Sequence, residues 1–420
     1  VWQTPCHIRP EIWGIPVVGV GWLLFAWLVC AAVVTLAQYR AHGWGAETKS
    51  QLLVSIVVAC VIVFVLPRIE EHVPGPEAGS TINQGIPIRG YGVMVLLGVA
   101  SGVGLAVWRA SRVGIESEVI FGLAFAMFIG GVVGARLFYV IQYWDQLQDR
   151  TLAGTAANIV NVVGGGLVVY GSIFGAAVGY VYFVSRHGLP YLKLADLIAP
   201  SLALGLSFGR MGCLLNGCCF GGLTHHAWAV SFPDNAPPYQ HQKSLGLLHG
   251  IRLGDSPQGV VIQEIVSRDA ARDANLSRGD QIDAINGQRV SSLQDARAAL
   301  ANSGRQLVLE TSSGRTVRLS LPELPSRSLR IHPTQIYASM NALLLCLLAI
   351  TWYPYRSRDG QVITGMMILY AATRFLLEEL RDDEIGRFGT NLTISQIISV
   401  LLGILLVGIW FYLQRRPRLA

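Results

Sequence analysis

Three arginines stand inside otherwise apolar stretches: Arg136, Arg210 and Arg374. Burying an arginine in a bilayer costs at least about 2.5 kcal/mol even on a lenient insertion scale. Guanidinium forks match phosphate oxygens in pairs, so three of them at one depth point to a cavity for a phospholipid head group. The competing account is that each snorkels to the interface on its own. Glu378 lies one turn after Arg374, and Arg381 about two turns after it. Helical spacing puts these three near one face as an ion-paired strip. Arg89 and Tyr91 open one apolar run, Tyr170 lies early in another, and His332 opens a third. His332 is of the residue type most often used as a general base; its other role is to cap a helix start. Cys213, Cys218 and Cys219 cluster. Three arrangements stay open for them: a disulfide from Cys213 to one of the other two, buried thiols, or a metal or redox site. His225 and His226 lie nearby, but there is no paired C-x2-C spacing, and no metal or cofactor is expected.

The elements that must hold these groups are membrane helices. Only 14% of residues are charged, against about 25% in a soluble domain, and residues 223–330 hold 22 of the 58 charges. The chain is mostly membrane, with one soluble island. Composition excludes collagen-like, disordered and disulfide-framework classes. No basic block supports a nucleic-acid partner, and the net charge of +6 fits basic cytoplasmic loops. A spanning helix needs about 20 apolar residues. Seven runs meet or approach this: 12–39, 50–67, 91–108, 119–144 with Arg136 inside it, 164–185, 333–355 and 391–414. Two more, 192–212 and 361–380, are broken by Arg210 and Arg374. The expectation is nine spans. Lys and Arg in alternate short loops number 11 against 6. This puts the N-terminus and residues 223–330 outside and the C-terminus inside. On that frame Arg89, Tyr91, Arg136, Tyr170, Arg210, His332 and Arg374 share the outer leaflet. The first run is too long for a cleavable signal peptide and lacks a basic start. Glycines at 130, 131, 134, 171, 175 and 179 suit close helix packing, and 164–166 suit backbone approach to a ligand.

The island reads as α+β. Residues 259–265 alternate like a strand, 270–274 suit a short helix, and 276–285 suit a strand entering an Asn286-Gly287 turn. Residues 293–301 suit a helix capped by Ser291 or Ser292, and 307–310 with 316–321 suit a hairpin at Ser313-Gly314. The run Leu276-x-x-Gly279-Asp280-x-Ile282 with Ile285-Asn286-Gly287 resembles a bacterial-type PDZ domain over about 250–322; Asn275 departs from its pattern. The resemblance implies a peptide ligand taken by strand addition beside a helix, with 246–253 as the candidate carboxylate loop. The other role open to it is packing on the membrane core.

Five segments together resemble the prolipoprotein diacylglyceryl transferase family. They are Ile86-Pro-Ile-Arg89-Gly-Tyr91-Gly, Gly164-Gly-Gly-Leu-Val-Val-Tyr170-Gly171, Gly209-Arg210-Met-Gly-Cys213-Leu-Leu-Asn216-Gly217, His332-Pro-Thr-Gln-Ile-Tyr337, and Tyr370-x3-Arg374-Phe-x2-Glu378-x2-Arg381. The implied organisation is two added helices (1–84), a transferase-like core in two parts (85–222 and 331–420), and the insert 223–330 between them. The implied fold is a polytopic α-helical membrane protein of the bacterial inner membrane, its PDZ-like domain periplasmic. The implied activity moves a diacylglyceryl group from phosphatidylglycerol to the lipobox cysteine of a prolipoprotein, whose signal peptide is then a partner. Tyr170, His332, Arg210 and Arg374 would serve catalysis. Arg89, Tyr91, Arg136, Gly171, Asn216, Glu378 and Arg381 would bind substrate. Two departures stand out. The family has His-Gly where this chain has Tyr170-Gly171, and that His is taken as the base. Its Asn-x-x-Asn-Gly-Glu signature has Cys213 for the first Asn and Cys218 for the Glu. These leave open a relative with another acceptor, or a non-catalytic scaffold that grips lipid and peptide.

Overall fold

Apolar stretches with no internal charge become helices because in lipid every backbone group must bond within its own segment. The computed structural model describes all residues except 1–3, 5, 75–80, 150, 162–164, 258, 267–275, 321–323, 384–385, 387–389, 391 and 419–420. The described chain divides into two units, one of residues 4–93 and 106–194, the other of 94–105 and 195–420.

In the first unit the strand Cys6–Ile8 (β1) is followed by a small hairpin, Glu11–Ile12 (β2) against Ile15–Pro16 (β3). Trp13 and Gly14 turn it with positive φ of 56° and 73°. The first long helix, Trp22–His42 (α1), therefore starts well after the apolar run does. Ala46–Cys60 (α2) opens into a π turn over Val61–Val65 and a 3-10 turn over Leu66–Ile69, where Pro67 withholds a donor. Glu71–Pro74 (β4) and β1 flank the strand Thr81–Ile88 (β5), which the sequence did not announce. β5 delivers Arg89 as the N-cap of Gly90–Ser111 (α3).

Ser117–Gln142 (α4) is followed by two unforeseen short helices, Trp144–Leu147 (α5) and Leu152–Val160 (α6), and then by Val169–Arg186 (α7). Gly165 and Gly166, with φ of 94° and 78°, turn the chain ahead of α7 instead of forming its first turn; Gly164 lies outside the described residues. α4 and α7 pack backbone to backbone. A Cβ on Gly175 would fall 2.0 Å from the Gly130 carbonyl oxygen, and one on Gly134 would fall 2.3 Å from that of Gly171.

In the second unit Tyr191–Asn216 (α8) runs past the expected run at both ends. Pro237–Ser244 (α9) leads into the insert: Ile251–Ser256 (β6), Gly259–Ile265 (β7), Ile282–Ile285 (β8), Gln288–Arg289 (β9), Leu293–Ala301 (α10), Gln306–Thr311 (β10) and Thr316–Ser320 (β11). Ser292 caps α10 with a capping box to Asp295. β10 and β11 pair as the expected hairpin, from Gln306↔Ser320 to Glu310↔Thr316. Asn286 and Gly287 turn β8 into β9 at φ of 50° and 78°. The strand expected over 276–285 is shorter, because Asp280 accepts the Ser277 N–H and bends the chain there. The helix expected at 270–274 lies outside the described residues. Ile251, Ile262, Ile285, Leu300, Leu307 and Leu309 form the insert's core. Thr334–Trp352 (α11), Gln361–Glu378 (α12) and Ile394–Gln414 (α13) follow, with Ala199, Ala203, Leu345, Ala349, Val362 and Met366 packed between α8, α11 and α12.

Seven described helices are long and apolar enough to cross a membrane: α1, residues 51–69, α3, α4, α8, α11 with its 3-10 end, and α13. Leu96, Phe125, Leu401 and Ile404 stand exposed on them, as lipid-facing residues do. The two remaining expected spans are α7 and α12, each 18 residues. They fall outside this set; charged residues, Arg186 in α7 and Arg374 and Glu378 in α12, offset their apolar content.

Candidate active site

The end of α8, the start of α11 and the end of α12 meet at one loop. Gly217 has a left-handed φ of 80° that stops α8, and residues 217–222 then thread between the start of α11 and the end of α12. The Gly221 N–H donates to the His332 carbonyl at 3.2 Å, the His332 N–H to Gly222 at 3.0 Å, and the Gly222 N–H to Leu380 at 3.0 Å. Gly221 also forms a bridge with Arg381. A Cβ at Gly221 would fall 2.6 Å from the His332 Cβ and 2.8 Å from the Leu380 carbonyl. Thr334 and Gln335 hold the Cys219 and Cys218 carbonyls at 2.7 and 2.8 Å. The loop is pinned from both helices.

Around it stand the charged groups. Glu378, 2% exposed, accepts from Arg374, from Arg381 at 3.2 Å and from the Thr393 hydroxyl at 3.2 Å. Arg381 also makes a fork to Asp383 at 2.9 and 2.9 Å, and Arg374 donates to the Ser395 hydroxyl at 3.2 Å. The expected strip of Arg374, Glu378 and Arg381 is thus formed. Arg210 interacts with the Tyr370 hydroxyl and with the Cys219 and Cys213 sulfurs. Tyr370 lay in a motif but was not picked as a site residue; its spacing to Arg374, one turn, was the available signal. The three cysteine sulfurs lie within 4.8 Å of one another, and Asn216 bonds the Cys218 thiol. The Arg381 and Arg210 charges face the Cys219 sulfur.

His332 sits in a cluster of rings. Its Nδ1 is 3.4 Å from the Tyr337 hydroxyl, which accepts from Trp228 Nε1 at 2.7 Å. His226 stacks on Trp228 and lies 5.6 Å from the His332 ring. His226, noted in the sequence for its nearness to the cysteines, and Trp228 belong to the insert's entry; their approach to His332 and Tyr337, far along the chain, is beyond any spacing rule.

The remaining expected residues belong to the first unit. Arg136 donates to four carbonyls: Ile159 at 2.7 Å, Asn158 at 2.5 Å, Gly165 at 3.0 Å and Gly166 at 2.9 Å. A Cβ at Gly166 would fall 2.6 Å from its Nη1. All three of its guanidinium nitrogens are therefore engaged with main chain. Gly171 meets α4 at Gly134 and Phe138, a packing role. Tyr170 is 41% exposed and Tyr91 44% exposed, each second in its helix. Among the described residues no ion-pair partner faces Arg89.

The insert touches the strip through Asp382, whose carboxylate lies 3.7 Å from Arg252 and 3.9 Å from His241. Burial holds the His241 imidazole below its usual range, against the pull of Asp382. The outer edge of β6 is occupied: the Ile251 and Leu253 N–H groups donate to the Gly246 and Leu245 carbonyls, each at 3.2 Å, and α9 packs against α10.

Residues 80–413 match the family model described as prolipoprotein diacylglyceryl transferase. The chain belongs to that family. A phosphatidylglycerol–prolipoprotein diacylglyceryl transferase of Rhodopirellula baltica is 32% identical over 95% of this chain and 86% of its own length. Proteins of that name from Clostridium tetani and, numbered 2, from Clostridium perfringens are each 26% identical over 78% of this chain, and over 93% and 91% of their own lengths. Family members are integral membrane proteins, in keeping with the seven long apolar helices.

Proposed function

We propose that this chain transfers the diacylglyceryl group of phosphatidylglycerol to the cysteine thiol of a prolipoprotein. The observation that carries this is the gathering of Arg210, Arg381 and His332 around one pinned loop, in a chain whose relatives bear that name. Arg210, with the Arg374–Glu378–Arg381 strip behind it, meets the phosphate and neutralises the charge that develops on it. His332 takes the thiol proton. Its Nδ1 faces Tyr337, which leaves Nε2 for the proton. The thiolate sulfur attacks the glyceryl carbon bonded to phosphate, that C–O bond breaks, a thioether forms, and glycerol phosphate leaves. Tyr170 stands where the resembled family has His; it orients lipid through its hydroxyl and leaves the proton to His332. Arg89 and Tyr91 contact the head group, Gly171 lets α7 reach α4, and Asn216 holds the loop. α7 and α12 complete nine spans. The basic bias of alternate loops supports a bacterial inner-membrane protein with residues 223–330 on the periplasmic side.

The insert's sheet order, β11-β10-β8-β9 with β6 paired to β7, and its Asn-Gly turn support a PDZ-like domain. A peptide that adds to β6 must first displace the Leu245 and Gly246 carbonyls, so packing beside the strip is its first role. An assay with phosphatidylglycerol and a lipobox peptide, read by mass, tests the proposal. His332→Gln should nearly abolish transfer while Tyr170→Phe keeps much of it. The reverse result would make Tyr170 the base. Phospholipid bound intact by folded wild-type protein, with the peptide unmodified, would point to the scaffold instead.

A further inference from the structure

We propose that Cys213, Cys218 and Cys219 form a three-thiolate site for a zinc ion, with the fourth position open to the acceptor thiol. The site part stands on the geometry of the cluster; the acceptor part rests on the transferase proposal above.

Zinc binds thiolates at about 2.3 Å in a tetrahedron, which sets its sulfurs about 3.8 Å apart. The three sulfurs here lie within 4.8 Å of one another, so small χ1 adjustments close them on one ion. The backbone is built to hold them there. Cys213 is in the last turn of α8, and Gly217 reverses the chain. Cys219 holds a φ of 57°, which a residue with a Cβ rarely adopts. Thr334 and Gln335 fix the carbonyls of the second and third cysteines. Three thiolates and one Zn²⁺ carry a net charge of −1, and Arg210 and Arg381 stand beside the cluster to balance it. A disulfide would use two of the sulfurs and strand the third.

Three protein ligands with one vacancy is the pattern of zinc sites that act on a substrate, whereas structural sites close all four positions. The vacancy lies beside the groups assigned to the phosphate. A thiol that enters it gives up its proton to His332 or solvent. Its sulfur then forms the S–C bond as the C–O bond to phosphate breaks, and the leaving glycerol phosphate keeps that electron pair. A thiol held this way is deprotonated near neutral pH, which makes good the loss of a histidine at position 170.

Full-length protein, purified in detergent without chelator, is assayed for zinc by mass spectrometry and, after exchange, for cobalt(II) by its near-ultraviolet thiolate charge-transfer band. About one zinc per chain is expected, with a three-thiolate cobalt band. Cys213→Ser, Cys218→Ser and Cys219→Ser should each lower zinc content at least tenfold, while Arg374→Lys keeps it. Metal-free protein should lose transfer at least 100-fold and regain it with zinc. Metal-free wild-type protein that takes up neither ion overturns the site, as does a Cys213 disulfide seen by mass. Zinc that can be removed with transfer unchanged overturns the acceptor role. If wild-type protein holds zinc on three thiolates yet leaves lipobox peptide unmodified, the transferase proposal falls and the site stands.

Discussion

Glu378 is the residue on which the strip depends, since it is the buried anion that Arg374 and Arg381 share. Glu378→Gln keeps the shape and removes the charge, leaving Arg374 without its counter-ion and Arg381 with Asp383 alone. Breaking a buried pair from one side costs about 3–5 kcal/mol, so this variant should melt well below wild type in a detergent thermal-shift series. Arg210→Lys should fold normally and lose about 100-fold or more in transfer, because a point charge lacks the paired donors that a phosphate takes. Retention of half the activity would remove Arg210 from the phosphate. Residue types were the most legible level of the sequence: an arginine in an apolar run is costly, so it announces itself. What they engage was less so. Arg136 reads as a phosphate ligand by type, yet it spends its donors on the carbonyls around α6, a segment with no clear pattern. Tyr370 stands in the same motif as Arg374, one turn before it, but that spacing does not show that it faces Arg210 on another helix.

Helices were legible where the run of apolar residues was, and their ends less so, because ends are fixed by local turns and by partners far along the chain. Asp196 shows this. It sits fully buried in α8, and its carboxylate accepts the Gly360 and Ile363 N–H groups at 2.7 and 2.9 Å with Arg356 at 3.7 Å. It therefore caps α12 from another helix, and no spacing within 361–380 could reveal it. Asp196→Ala should destabilise the protein by about 1–3 kcal/mol, and hydrogen exchange should rise first at residues 360–363. Uniform exchange along α12 would show that the cap does nothing for that end. The α4–α7 pair was easier to foresee, since glycines at four-residue steps leave a groove. Gly175→Val should separate the two helices, because even a Cβ there overlaps the Gly130 carbonyl; a disulfide engineered between them in wild type should fail to form in the variant.

For the whole molecule, the soluble island was visible in its charge density, and its contact with the strip was not. His241 and His249 are both held below the usual imidazole range, chiefly by burial. Their folded values lie under the unfolded one of about 6.5, so the stability they give is complete above that value. It is lost as pH falls from about 6.5 through the folded values. Proteolysis of the insert in intact protein should therefore quicken between about pH 7 and 5, and replacing both histidines with Asn should flatten that dependence. Asp382→Asn should lower transfer several-fold with the melting temperature nearly unchanged, since it loosens Arg252 and His241 from the loop beside Arg381; an unchanged rate would leave the insert a passenger. The insert also enters and leaves at one place. Leu223 and Val230 both bridge Ile331, and Pro233 bridges Arg327, with Phe232 and Ser328 bonded at 2.7 Å. A segment attached by such a stem imposes almost no distance constraint on the helices either side. Excision of 234–326 across a two-glycine link should leave a chain that still inserts and folds. Seen as history, the stem is a graft point, where a lineage can gain, trade or shed an outer domain in one step without rerouting the chain through the membrane.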